Sequence, residues 1–106
     1  MKCLGKDLEG ITQVSLESIK KYTEKHLVSI MIEKISSTEV STTFKFDDNT
    51  CYVASGFNIG YGGEGPRGLW KAISLWYPDL YPDFSDSKIA SLQFKSYIWN
   101  PVSGWN

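Results

Sequence analysis

From Val40 to Phe46 the chain alternates without a break. Val40, Thr42, Phe44 and Phe46 fall on one face, and Ser41, Thr43 and Lys45 on the other. Period-two alternation of this kind marks a strand with one buried and one wetter face, the pattern of antiparallel rather than parallel sheets. Asp47-Asp48-Asn49 supplies turn chemistry, and Thr50-Cys51-Tyr52-Val53-Ala54-Ser55 reads as the returning strand. The spacing therefore predicts a β-hairpin over 38–55. An isolated hairpin is marginal in water, so the rest of the chain must give it further strands and a cover for its apolar face.

Candidates for both roles lie on either side. Leu27 to Ile35 is rich in β-branched residues and reads as a strand, although its periodicity alone also suits a buried helix. Leu16, Ile19 and Tyr22 recur at three-residue intervals between polar residues, predicting an amphipathic helix capped by Ser15. Met1 to Gly10 shows no clear period and reads as a short strand or a loose arm. Further on, Gly65-Pro66 opens a second helix, with Pro66 expected at its first position, where a missing N–H costs nothing. Leu69, Trp70, Ala72, Ile73, Leu75, Trp76 and Tyr77 make that helix apolar on nearly every side, so most of its faces should be buried or shared with a partner subunit. Pro78 ends it and begins a rigid loop to Phe84; Ser85-Asp86-Ser87 caps a short helix through Leu92. Gln93 to Trp99 alternates weakly as a last strand, stopped by Asn100-Pro101. The expected fold is a single α+β domain over 1–106: a small antiparallel sheet with two to three short helices packed on it.

Function classes narrow by charge and by cysteine and histidine count. The formal charge is −1, with lysines and carboxylates interspersed. That argues against binding a nucleic-acid polymer or an anionic membrane, both of which require a basic surface. No apolar run is long enough to span a bilayer. Cys3, Cys51 and the single His26 cannot supply the four ligands of a structural zinc site, so no metal is expected. Without a signal-peptide pattern, the expectation is two reduced thiols in a soluble cytoplasmic protein; a Cys3–Cys51 disulfide is the alternative. His26 has no motif around it, Asp47-Asp48 suits a turn, and Cys51 reads as a buried inert thiol. No catalytic set and no cofactor is expected.

Six of the nine glycines fall between Gly56 and Gly68, together with the only arginine, Arg67. Gly60-Tyr61-Gly62-Gly63-Glu64-Gly65 fits G-x-G-x-x-G, yet no parallel-sheet pattern follows, and Asp83, at ribose-binding distance, lies in a Pro-bounded loop. The P-loop lysine is also missing. A simple connector needs one or two glycines for positive φ, and four in six residues would leave backbone amides exposed as an anion-binding nest. Arg67 adds a planar fork suited to phosphate oxygens; its structural alternative is an ion pair with Glu64 or another carboxylate. Lys71 lies one turn on. Phe57, Tyr61 and Trp70 are candidates to stack a base or to fill the core, and Asn58 to read a ring edge or a ribose hydroxyl. The candidate ligand-binding residues are thus Phe57, Asn58, Tyr61, Gly62, Gly63, Gly65, Arg67, Trp70 and Lys71. Trp99 and Trp105 imply that the C-terminal run docks, on its own domain or across a subunit boundary.

The stretch Phe57-Asn-Ile-Gly-Tyr-Gly-Gly-Glu-Gly-Pro-Arg-Gly-Leu69 resembles a signature of small bacterial and phage domains: an aromatic, then Gly-Tyr-Gly-Gly-x-Gly-Pro, then an apolar helix. Among these the chain is most similar to the phage Thoeris anti-defence sponges, over about 55–73. The resemblance implies sequestration, without cleavage, of a cyclic ADP-ribose-type or related cyclic nucleotide immune signal. It further implies a homodimer or higher homo-oligomer with pockets near subunit boundaries; some sponges of this kind also hold cyclic oligonucleotides at a second site, for which Lys20 and Lys21 are the candidates here, and whether this chain has such a site stays open. Two other functions stay open: a small nucleotide-processing enzyme with Glu64 as base, and a protein–protein inhibitor whose glycine loop only turns the chain.

Overall fold

A computed structural model of the chain describes residues 1–80 and 86–106. The expected loop through Phe84, with Asp83 and the cap residue Ser85, lies in part outside the described residues. Six strands form one sheet: β1 (Lys2–Lys6), β2 (Leu27–Lys34), β3 (Val40–Phe46), β4 (Thr50–Ala54), β5 (Tyr97–Asn100) and β6 (Gly104–Trp105). Their spatial order is β1-β4-β3-β2-β5-β6, and every pairing is antiparallel except β1 with β4. Helices α1 (Thr12–Ile19), α2 (Glu64–Ser74) and α3 (Asp86–Ser91) complete the α+β domain.

The hairpin lies at the centre of the sheet, where its alternation places it. Thr42 faces Ala54 and Phe44 faces Tyr52, with Asn49 in the turn at φ 64°, a left-handed conformation that asparagine tolerates. One face of the sheet carries the row Trp99, Ile30, Phe44 and Tyr52, read across β5, β2, β3 and β4. All four are buried, in one cluster with Leu16 and Ile19 of α1, Leu69, Ala72 and Ile73 of α2, and Ile89 of α3. The row next to it, Ile98, Met31, Thr43 and Val53, is half-buried or exposed except at Thr43. The helices therefore cover one face only.

Several expected boundaries move. α1 begins at Thr12, and Ser15 is not its cap but a fully buried residue of its second turn; its hydroxyl is committed to long-range partners described below. Tyr22 falls past the helix, in a 3-10 turn (Lys20–Tyr22), and packs on Phe46 and Tyr52. α2 begins at Glu64, two residues before Pro66, whose missing N–H is one of those a helix start leaves unpaired anyway. It also ends at Ser74, four residues before Pro78. Leu75, Trp76 and Tyr77 form a tight turn on it. Trp76 Nε1 donates to Lys25 O at 2.7 Å, and Tyr77 Oη to Leu27 O at 2.6 Å. The apolar surplus thus reflects a turn clamped to the start of β2 rather than a helix buried all round.

The two ends of the chain are both strands. β1 is the edge strand beside β4, joined to it by a Cys3–Cys51 disulfide. Reduced thiols, the expectation from sequence, are thereby corrected: parallel pairing brings the two cysteines opposite each other. At the other end the tail docks on its own domain. Trp105 pairs with Trp99 across β5 and β6, ring centroids 6.3 Å apart, and Ile98 and Asn106 exchange backbone hydrogen bonds. Among the described residues no helix is long and apolar enough to cross a membrane.

Candidate functional site

After β4 the chain enters the glycine loop, and a polar knot fixes its start. Asp7, just past β1, accepts hydrogen bonds from Ser15 Oγ (2.9 Å), Ser55 N (3.0 Å), Ser55 Oγ (2.5 Å) and Tyr52 Oη (2.9 Å). Partial burial pushes its pKa up, but the bonds from Ser55, Ser15 and Tyr52 more than offset that, leaving it below the ordinary aspartate value. Tyr52 moves upward, through burial and then its tie to Asp7. Both carboxylate oxygens accept, so Asp7 fastens the end of β1 to the start of the glycine loop and to α1. Ser15 Oγ also accepts from Gly56 N at 2.8 Å, and Thr12 Oγ1 donates to Gly56 O at 2.7 Å. Sequence reasoning missed this knot, because its members lie up to 48 residues apart and none belongs to a motif.

The loop glycines have local reasons that their number did not reveal. At Gly56 a Cβ would stand 2.3 Å from Ile11 O, and at Gly68 2.2 Å from Thr12 Cγ2, so both mark where the loop and α2 press against α1. Gly60 has φ 82° and donates to Ile89 O at 3.1 Å. A Cβ on Gly63 would meet the Tyr61 ring at 2.6 Å, and one on Gly65 would meet Asn58 Cβ at 2.8 Å. Gly62 alone faces open space, at a φ that other residues also adopt. Among the loop glycines positive φ is found only at Gly60, so handedness does not account for the other five. The free amides near these glycines are those at the start of α2, where Gly63 is the cap residue in extended conformation with no side-chain cap.

The predicted ligand residues separate. Phe57 is 2% exposed and packs edge-on against Phe44 at 5.9 Å, so it has no open ring face for a base. Trp70 is half-buried and packs against the core. Asn58 is engaged at both ends, donating to Thr38 O and accepting from Ile59 N. Tyr61 is 48% exposed and lies over Gly63 and Gly65. Gly62, Gly63 and Arg67 come together in a cleft of about 140 Å3 between α2 and α3, with Asp86 and Ser87 opposite. There Arg67 Nε stands 3.9 Å from Asp86 Oδ2 rather than pairing with Glu64, and both side chains are about half exposed or more. An exposed pair at that distance contributes about 1 kcal/mol at most, and among the described residues it is the one ion pair that Arg67 makes. Lys71, exposed, is on the same side of α2 one turn later.

On the far side of Tyr61 a larger cavity of about 640 Å3 opens between the chain after β1, the β2–β3 turn and the glycine loop. Phe57, Asn58, Tyr61 and Gly65 line it, but its charges are Asp7, Glu9, Glu39 and Glu64 against Lys6. Carboxylates outnumbering cations in a concave wall repel phosphate. The two sides of the loop thus differ in charge: toward α3 the cleft is lined by one cation and one carboxylate, Arg67 and Asp86, and toward β1 the cavity is acidic. No family model, curated protein or solved structure matches this chain.

Proposed function

We propose that the chain is a binding protein that sequesters a phosphate-bearing cyclic nucleotide of the cyclic ADP-ribose type without cleaving it, as the resemblance of 57–69 to the anti-defence sponges implies. One observation carries the placement: Gly62, the loop glycine that the fold itself does not require, shares its cleft with the only arginine. A glycine with no packing or conformational reason beside a largely exposed guanidinium is what close approach of a phosphate to backbone calls for. The phosphate sits against Gly62, Gly63 and Arg67, with Lys71 adding charge, and the base lies on the open face of Tyr61. At about 140 Å3 the cleft is well under the 300–1,000 Å3 usual for ligand sites, so a second copy of the chain completes the pocket.

The test is thermal stabilisation by cyclic ADP-ribose isomers, followed by heat release and mass analysis of the ligand. At a thousandfold excess over Kd, binding contributes about 4 kcal/mol, and the released ligand is expected intact. Gly62→Ala and Arg67→Ala should each keep the ligand-free melting temperature and lose most of the ligand-induced shift. Recovery of a hydrolysed product would make the chain an enzyme instead. A second reading, inhibition of a basic protein, is favoured by the acidic cavity, whose mouth carries the exposed Leu8 and Ile35. In that case Glu39→Gln with Glu64→Gln weakens the biological effect, and Gly62→Ala and Arg67→Ala leave it unchanged.

A further inference from the structure

β1 contributes almost nothing to the core. Four of its five residues are exposed and the fifth, Gly5, is half-buried. It lies at the edge of the sheet, pairs with β4 only, and its register is interrupted between Cys3 and Gly5. Backbone bonds of an edge strand that buries no apolar side chain exchange with water at little net gain. Two attachments hold it in place. One is the backbone and carboxylate of Asp7, bonded to Val53 O, Ser55, Ser15 and Tyr52 at the strand's C-terminal end. The other is the disulfide, near its N-terminal end.

We propose that the Cys3–Cys51 disulfide is a redox latch on β1: oxidised, it holds the strand against β4; reduced, it releases 2–6 while Asp7 stays fastened as the pivot. The two sulfurs differ in access, since Cys3 is exposed and Cys51 is 0% exposed. A dithiol reductant therefore attacks the Cys3 sulfur through its thiolate. The S–S bond breaks, the Cys51 sulfur leaves with the electron pair and takes a proton, and the reductant is joined to Cys3 as a mixed disulfide. Its second thiol then displaces Cys3, which takes the second proton. Two electrons and two protons pass to the protein, and the reductant leaves as a cyclic disulfide. Release of β1 makes β4 the edge of the sheet and exposes its outer N–H and C=O groups, a template for another strand. This inference stands apart from the ligand reading, because it concerns the opposite side of the glycine loop.

Amide hydrogen exchange of the full chain, with and without dithiothreitol, tests it. Reduction is expected to raise exchange at least tenfold in 2–6 and in the amides of 50–53 that face β1, with 27–46 unchanged. Cys3→Ala, which removes an exposed side chain, should exchange like the reduced chain and be insensitive to dithiothreitol. Unaltered protection of 2–6 after reduction, or Cys3→Ala behaving like the oxidised chain, overturns the latch. An equal rise across 27–46 also overturns it, since the disulfide would then be stabilising the whole domain and not one strand.

Discussion

Gly68→Ala puts the packing account of the glycine loop at risk. In an exposed helix this change stabilises by about 1 kcal/mol, because alanine is the better helix former. At Gly68 the new Cβ would stand 2.2 Å from Thr12 Cγ2 and 3.3 Å from two atoms of the Phe57 ring. Carbon atoms in good contact are about 3.5–4.0 Å apart, so α1 and α2 must separate by more than an ångström. The buried Phe57 ring blocks the alternative of moving sideways. Overpacking of this kind costs about 1–3 kcal/mol, and a clash with a β-carbon substituent belongs at the upper end. The net expectation is destabilisation by about 1–2 kcal/mol, or a melting temperature lower by roughly 5–15 °C for a domain of this size. Thr12→Ser removes the clashing methyl but keeps the hydroxyl that bonds Gly56 O; alone it should cost about 0.8 kcal/mol, the value of one buried carbon. Urea unfolding followed by circular dichroism would give the double-mutant cycle, in which Gly68→Ala combined with Thr12→Ser is more stable than Gly68→Ala alone. A Gly68→Ala protein more stable than wild type, or a double mutant equal to the sum of the singles, refutes the close approach of α1 and α2.

Two further predictions concern the polar clamps. Asp7 titrates below the ordinary aspartate value of 3.8 in the folded chain; its contribution is therefore fully present above that value and is lost as pH falls through the lower folded one. Asp7→Asn should destabilise at neutral pH by about 1–3 kcal/mol and flatten the acid limb of a stability-versus-pH curve as pH falls through and below the ordinary aspartate value. An unchanged acid limb would remove Asp7 from the account. Tyr77→Phe takes away the donor to Leu27 O and leaves that carbonyl unpaired next to the core, a cost of about 1–3 kcal/mol by denaturant titration; a neutral result would mean that water replaces the hydroxyl.

What was legible in the sequence is what periodicity encodes. The hairpin and the class of fold follow from alternation and turn residues that act over a few positions, as at Asp47–Asn49, and β2 follows from its β-branched content, its periodicity alone suiting a helix as well. Partners far apart in the chain were not legible. Ser15 looked like a cap because serine before an apolar repeat usually is one, whereas its hydroxyl serves Asp7 and Gly56 instead. The parallel pairing of β1 with β4, and with it the Cys3–Cys51 bond, rests on a long-range contact that a strand with no apolar period does not advertise. Phe57 and Trp70 read from the sequence as either ligand or core residues; Phe57 is buried in the core, and Trp70 is half-buried and packs against it.

The glycines show why counting residues of one type is ambiguous. Glycine answers three separate demands: a left-handed backbone, a close approach between elements, and a close approach of a ligand. Only the first two can be checked against the chain's own atoms. Gly60 meets the first; Gly56 and Gly68 meet the second against backbone and helix, and Gly63 and Gly65 meet it against Tyr61 and Asn58. Subtracting these leaves Gly62, and with it Arg67, whose partner Asp86 is too distant and too exposed to account for a guanidinium placed at the positive end of a helix. The number of glycines in the loop therefore does not point to a bound anion; the one glycine that the fold does not require does, and Gly62→Ala separates a loop that only turns the chain from one that holds a ligand.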